Sequence, residues 1–142
     1  MTTTTKKKQQ PDFHLLAGAY IDDHIKTAAV YHQGRLYTYT GTHYVEETEL
    51  APKVRRFLIK NQFPHNNHIV SNVVKDIEAL TFQDSNQYPT MPFYVAGGFP
   101  KNIIAFQNGL LDVNAYLSGN AELIPHTPKW VSTFCLDRKS VV

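Results

Sequence analysis

Apolar residues recur with helical spacing in three segments of the chain, and each segment predicts an amphipathic helix. The first runs from Asp12 to about Val30, and Asp12, which follows Pro11, is a suitable N-cap. The second runs from Glu46 to Lys60, and the third from His68 to Phe82. The residues predicted to face inward on the second and third helices are Leu50, Val54, Phe57, Leu58, Ile69, Val70, Val73, Val74, Ile77 and Leu80.

Alternating aromatic and β-branched residues predict short strands between and after these helices. Residues 35–45 (RLYTYTGTHYV), interrupted by Gly41, predict a β-hairpin, and residues 83–101 a loop with a short strand around Phe93. Residues 121–124 and 130–136 predict further short strands. The predicted fold class is therefore α+β. Its elements are an N-terminal helix, a β-hairpin, a two-helix unit that resembles a winged helix with its neighbouring hairpin, and a C-terminal group of short antiparallel strands.

The C-terminal group includes the segment 103–114 (IIAFQNGLLDVN), where an Asn-Gly pair separates two apolar runs. Both residues of such a pair accept the positive φ of a type I′ turn, so a two-residue hairpin centred on Asn108 and Gly109 is predicted. That register pairs Phe106 with Leu111 and places both on an apolar face with Ile104 and Val113. The opposite face, which carries Ala105, Gln107, Leu110 and Asp112, is predicted to meet solvent or a partner.

Length and composition indicate one domain of ordinary size. The 142 residues carry 14 Lys and Arg against 12 Asp and Glu, a net charge of only +2, so a basic function has to come from local clustering. Residues 1–11 predict a disordered basic arm or linker, 12–138 a single domain, and 139–142 a truncated tail toward a missing downstream domain. The single Cys135 and the short apolar runs predict a cytoplasmic protein without a membrane segment.

Motifs for catalysis or cofactor binding are absent from the sequence. His65 and His68 have loop spacing and no cysteine pair beside them, which argues against a metal site. Cys135 is predicted to lie in a buried strand, where free thiols are usually inert. No phosphate-binding Gly-x-x-x-x-Gly-Lys-Ser/Thr loop occurs. We therefore predict no catalytic residues, no metal and no cofactor; a hydrolase would require an unexpected pocket around the histidines.

A basic cluster is the strongest candidate for function. Lys53, Arg56 and Lys60 have i, i+3, i+7 spacing on the second predicted helix, with Arg55 beside them and Lys75 on the third helix. Such a stripe predicts contact with the DNA backbone rather than base reading, although a solvated helix face is the more ordinary explanation. The tyrosines of the first hairpin offer base stacking, but cross-strand packing is the more ordinary role for alternating Tyr and Thr.

The order of these features resembles one protein family. The hairpin 36–44 (LYTYTGTHY), two helices, the hairpin 104–112 (IAFQNGLLD) and the turn 125–128 (PHTP) follow one another as in the domain that precedes the superfamily 3 helicase of phage, plasmid and poxvirus primase-helicases. The resemblance spans roughly residues 13–138. It departs from the family at Tyr44, where tryptophan is usual. The motif positions that carry the resemblance are Tyr39, Gly41, Tyr44, Asn108, Gly109, Asp112, His126 and Pro128.

The resemblance implies a non-catalytic accessory domain that supports helicase ring assembly and DNA engagement during replication. The implied partners are DNA, the adjacent helicase domain of a parent chain and, through that parent, further copies in a hexamer; the family motif positions are structural. The alternative is a stand-alone protein–protein interaction module that never contacts DNA. For that module the exposed face would be the one that carries Ala105, Leu110 and Asp112.

Overall fold

The computed structural model describes residues 11–25, 28–95, 102–120 and 122–140. Nearly all of the predicted basic arm lies outside these residues. The described chain is of the α+β class, which confirms the prediction. In chain order its elements are α1 (Phe13–His24), β1 (Ala29–His32), β2 (Arg35–Tyr39), β3 (Tyr44–Glu46), α2 (Leu50–Lys60), α3 (Asn67–Leu80), β4 (Phe93–Tyr94), β5 (Ile103–Phe106), β6 (Gly109–Asp112), α4 (Val113–Leu117) and β7 (Trp130–Val131).

The chain divides into two compact units whose segments alternate in the sequence. Unit 1 takes residues up to 26 together with 49–80, and unit 2 takes 27–48 together with 81 onward. Unit 1 thus contains α1, α2 and α3, whereas the strands and α4 belong to unit 2. The first hairpin and the helix pair, which the sequence suggested as a winged helix, therefore lie in different units.

Unit 1 is a three-helix body with one apolar centre. α1 begins at Asp12, whose side chain accepts a hydrogen bond from the Leu15 amide at 3.1 Å. Tyr20 of α1 meets Phe57 of α2 edge-on, with 5.5 Å between the ring centres. The buried side chains of this unit are Leu16, Ala17, Tyr20, Leu50, Val54, Phe57, Leu58, Ile69, Val70, Val73 and Ile77. The inward faces predicted for α2 and α3 match this set except at Val74 and Leu80, which the core does not bury.

The prediction that the first helix extends to about Val30 is wrong, because α1 ends at His24. Residues 29–32 instead form β1, which pairs antiparallel with β2 from Ala29↔Thr38 to His32↔Arg35. The connecting turn is Gln33-Gly34, where both residues have positive φ, 51° and 81°. This is the backbone form of a type I′ turn, which joins two antiparallel strands. Residues whose apolar spacing also fitted a helix therefore belong to the sheet.

Unit 2 is built around a three-stranded sheet in the order β1-β2-β3. Its core contains Val30 and Tyr44 from this sheet and Phe93 and Val131 from the β4–β7 pair. The Tyr44 amide donates to the Ser132 carbonyl at 2.8 Å, which joins the start of β3 to the residue after β7. A second cluster forms around Ala105, Leu110 and Trp130.

The predicted register of the Asn-Gly hairpin is wrong: the turn lies one residue earlier than predicted, so each β5 residue pairs with a β6 residue two positions earlier. β5 and β6 pair Ile104 with Leu111 and Phe106 with Gly109, so the turn residues are Gln107 and Asn108. Gly109 opens β6 with a φ of 154°. Leu110 forms two 2.8 Å backbone hydrogen bonds with Ile124, and a Cβ on Gly109 would lie 3.0 Å from the Ile124 carbonyl oxygen. The segment that contains Ile124 therefore sets the hairpin register, because only a glycine at position 109 lets the Ile124 carbonyl come so close to the backbone of β6.

Both registers keep the same side chains together on each face of the hairpin, but the face that was predicted to meet solvent is the one that packs on the core. Ala105 and Leu110 are 4% and 1% exposed and pack on Trp130, whereas Ile104 is 37% exposed. The expectation that the face with Ala105, Leu110 and Asp112 is exposed is therefore wrong. This face is therefore not available as the binding surface that the protein–protein alternative assigned to it.

The remaining C-terminal strands are shorter than predicted. Ile124 forms only an isolated bridge with Leu110, and β7 is limited to Trp130–Val131. The sequence analysis also missed α4, which begins where the Asp112 carboxylate accepts from the amides of Asn114 at 3.1 Å and Ala115 at 3.3 Å. Because Asp112 caps the helix, α4 begins directly after β6.

Candidate nucleic-acid interface

The basic stripe lies on the exposed side of α2. Leu50, Val54, Phe57 and Leu58 are buried on one side of this helix, which leaves Lys53, Arg56 and Lys60 exposed on another. At about 100° per residue these three fall within about 60° of arc, and Lys53 and Lys60 are about 10 Å apart along the axis. α2 contains no Asp or Glu, and Arg56 and Lys60 form no ion pair or hydrogen bond through their side chains within the described residues.

The structure does not bring the other two predicted cations into this stripe. The Arg55 guanidinium donates to the His65 carbonyl oxygen and to the Asn67 side-chain oxygen, which ties α2 to the loop before α3. Lys75 is exposed on α3. Val70 is the α3 residue that lines a groove together with residues of α2, and Lys75, five residues further along, lies about 140° around α3 from it. The candidate interface therefore reduces to three residues, with Arg55 as a positioning residue.

Beside the stripe lies an open apolar groove that the sequence analysis missed. It has a volume of about 490 Å³ and is lined by Ala51, Pro52, Arg55, Arg56, Ile59 and Val70. Ile59, the penultimate residue of the amphipathic helix α2, is 51% exposed. That misplaced isoleucine was the signal in the sequence, since it falls opposite the predicted inward face.

Four of the family motif positions meet at one place in unit 2. Tyr39 and Tyr44 are register partners across β2 and β3, and their ring centres are 5.1 Å apart. The Tyr44 hydroxyl donates to the Pro128 carbonyl oxygen at 2.5 Å, and the Tyr39 hydroxyl donates to the Gly41 carbonyl oxygen at 3.0 Å. Tyr44 is 1% exposed, so it presents no ring to a nucleic-acid base.

The other four motif positions surround the β5–β6 hairpin. Asn108 binds Ser140 twice, donating to its carbonyl oxygen at 3.0 Å and accepting from its amide at 2.7 Å. His126 Nε2 lies 3.1 Å from the Gln107 carbonyl oxygen, while its Nδ1 is buried and has no hydrogen-bond partner within the described residues. Gly109 accommodates Ile124, and Asp112 caps α4. All four contacts are to the backbone or a neighbouring segment of the same unit.

The buried Tyr44 predicts a pH dependence of stability. Burial raises the pKa of its hydroxyl well above the usual value, and the neighbouring Tyr39 adds to the shift. Above about pH 10 the unfolded chain releases this proton while the folded chain keeps it, so the free energy of unfolding falls as the pH rises. In Tyr44→Phe this part of the fall disappears, although near neutral pH the variant is about 1 kcal/mol less stable because the bond to Pro128 is lost.

Urea unfolding between about pH 8 and about pH 11 measures this difference. The stability gap between wild type and Tyr44→Phe should narrow as the pH rises. Tyr39, whose pKa is raised by burial and then by the charge of Cys135, is present in both proteins. Parallel stability curves would contradict the burial of a neutral Tyr44 hydroxyl.

The described residues contain no group of three or more His, Cys, Asp or Glu side chains positioned to hold a metal ion. His65 and His68 belong to the loop before α3 and to α3 itself, where the His68 ring packs edge-on against Phe13 at 5.9 Å. None of the helices in the described part of the chain has the length and apolar character that a membrane crossing requires.

Fold and surface together define an α+β protein with a cationic helix face beside an apolar groove. In comparisons with known proteins, no family model matches the chain, and no curated protein is significantly similar to it.

Proposed function

We propose that this chain is a non-catalytic accessory domain of a phage- or plasmid-type DNA primase-helicase, acting in the cytoplasm and contacting the DNA backbone through α2. The observation that carries the DNA contact is the exposed stripe of Lys53, Arg56 and Lys60 on one face of this helix. The order of the two hairpins, the helix pair and the turn at 125–128 supports the primase-helicase context by resemblance.

The stripe suits phosphates rather than bases. Over the roughly 10 Å between Lys53 and Lys60, a DNA duplex carries about six phosphate charges, so three cations on one line meet several of them. The stripe carries no Asn or Gln that would pair with adenine, and its two lysines are point charges without directional preference. Arg56 is its one side chain with the fork geometry for a bidentate contact with guanine. Binding is therefore expected to be independent of sequence and sensitive to salt.

Salt dependence tests this proposal at the level of single residues. Each cation that neutralises a phosphate should add about 0.9 to the magnitude of the slope of log K against log salt for duplex DNA. Arg56→Ala and Lys60→Ala should each reduce the slope by about this amount and weaken binding to all sequences alike. Fluorescence anisotropy with a labelled duplex, titrated at four or more salt concentrations, gives the slope.

Lys75→Ala is the matched control, because it removes one exposed cation from a different surface of unit 1. It should leave the slope unchanged. Equal slopes for all the variants and the wild type would exclude the stripe as the contact. Complete absence of binding at low salt would instead favour the protein–protein alternative.

The primase-helicase context has its own test in the gene that encodes the chain. We expect the reading frame beyond codon 142 to contain a Gly-x-x-x-x-Gly-Lys-Ser/Thr motif between a predicted strand and a predicted helix, within about 100 residues. A reading frame that continues without such a motif would contradict the primase-helicase proposal. The proposal that α2 contacts DNA would then stand alone.

A further inference from the structure

The outward face of α1 is both apolar and acidic. Leu15, Ala19 and Asp22 follow one another at i, i+4 and i+7 and therefore share one side of the helix. All three are exposed, and Leu15 is 68% exposed, the largest value for a bulky apolar side chain in unit 1. Asp12 and Asp23 add negative charge at the two ends of the helix, and α1 contains no Lys or Arg.

The groove on α2 and α3 has the opposite charge and a matching apolar floor. Ala51, Pro52, Ile59 and Val70 supply the floor, and Arg55 and Arg56 also line the groove. The Arg55 guanidinium is bound to His65 and Asn67, so Arg56 supplies the positive charge that a partner meets. Its volume of about 490 Å³ lies within the range of clefts that enclose several side chains. The groove and the outward face of α1 share no residue, although both belong to unit 1.

We propose that these two surfaces bind each other between copies of this chain. The outward face of α1 from one copy lies in the α2–α3 groove of the next, with Leu15 against Ile59 and Asp22 beside Arg56. Because the two surfaces differ, the contact is head-to-tail, and each copy still offers one free surface of each kind after binding. Such a contact extends to a closed ring if the rotation per copy closes, and to an open chain if it does not.

Charge complementarity favours a second copy as the occupant. An apolar groove lined by Arg56 selects an apolar helix that carries carboxylates, and α1 presents this combination on a preformed helix, which avoids the ordering cost of a flexible peptide. Close approach is also possible, since Gly18 lies three residues after Leu15 and a Cβ there would meet no atom within 4 Å. A backbone can therefore come near α1 at this point without displacing a side chain.

This proposal does not depend on DNA binding. Leu15, Asp22 and Ile59 lie outside the cationic stripe, and only Arg56 belongs to both surfaces. Self-association is measured in the absence of DNA, and among the DNA-binding variants Lys60→Ala and Lys75→Ala alter neither self-association surface, so each proposal succeeds or fails by itself.

Sedimentation velocity of the full chain over a wide concentration range tests the contact. The wild type should sediment faster as its concentration rises. Asp22→Arg, which alters only the α1 face, and Arg56→Asp, which alters only the groove, should each weaken association at least tenfold. An equimolar mixture of the two variants should associate again, at least to a dimer, because the first variant keeps an unaltered groove and the second keeps an unaltered α1 face.

Leu15→Asp and Ile59→Asp should abolish association by placing a charge in the apolar contact. Leu117→Asp is the matched control, because Leu117 is 76% exposed but lies in unit 2, and it should associate like the wild type. Circular dichroism confirms that each variant is folded. The proposal is overturned if the wild type stays monomeric at millimolar concentration, if the Leu15 and Ile59 variants associate normally, or if the mixture of the two charge variants remains monomeric.

Discussion

The triple substitution Lys53→Glu, Arg56→Glu and Lys60→Glu is expected to abolish DNA binding. The wild type should bind duplex DNA with a Kd on the order of micromolar at low salt, as non-specific binders do. Three phosphate contacts are lost and three like charges are placed against the backbone, so the affinity should fall by about 100-fold or more. Fold stability should change little, because all three side chains are exposed.

The control for this variant reverses three other exposed cations, Lys75, Lys129 and Arg138, and so changes the net charge by the same amount. Its affinity should fall only by the weak long-range effect of net charge, which disappears as salt rises. If the two triple variants lose affinity equally, binding depends on overall charge and α2 is not the interface. The positive charge of Lys60 in the last turn of α2 favours the helix by about 0.5 kcal/mol. Thermal melting curves of the variant and the wild type therefore measure how much stability the loss of this charge removes.

Gly109→Val is expected to be the most destabilising substitution in unit 2. A Cβ at this position would lie 3.0 Å from the Ile124 carbonyl oxygen and 3.1 Å from the Leu123 Cβ, and the branched methyl groups of valine add to that crowding. Overpacking and the unfavourable φ of 154° together should cost about 3 kcal/mol, or roughly 10 °C in Tm.

Gly119→Val separates the two causes. Gly119 also has a positive φ, 97°, but no atom lies within 4 Å of its Cβ position. It should therefore show only the backbone strain, about 1–2 kcal/mol. Equal losses for the two variants would mean that the approach of Leu123 and Ile124 does not determine the hairpin register.

The sequence predicted most successfully where structure depends on neighbours within a few residues. α2 and α3 follow from a clear apolar period, and the stripe of Lys53, Arg56 and Lys60 follows from helix geometry alone, since all three lie on one helix. The presence of a hairpin at 103–112 was predicted for the same reason.

Predictions failed where a distant segment decides the local structure. The Asn-Gly pair favours its own turn, but Ile124 binds Leu110 and requires Gly109 in the strand, which moves the turn by one residue and the cross-strand pairing by two. The apolar spacing of residues 28–30 fits a helix, but in the folded chain Ala29 and Val30 pair with β2. The apolar groove needs Val70 of α3 beside Ile59 of α2, and no spacing within one helix reveals that neighbourhood.

The DNA-contact surface itself can be mapped directly by NMR. Titration of a short DNA duplex into isotope-labelled protein at low salt should shift the amide signals of residues 53–60 most strongly, together with the side-chain signals of Lys53, Arg56 and Lys60. Signals from the β1–β3 sheet, including those of Tyr39 and Tyr44, should change little. Shifts concentrated on the sheet, or no shifts at all on α2 while the DNA is bound, would contradict the proposal that this chain engages DNA through its second helix.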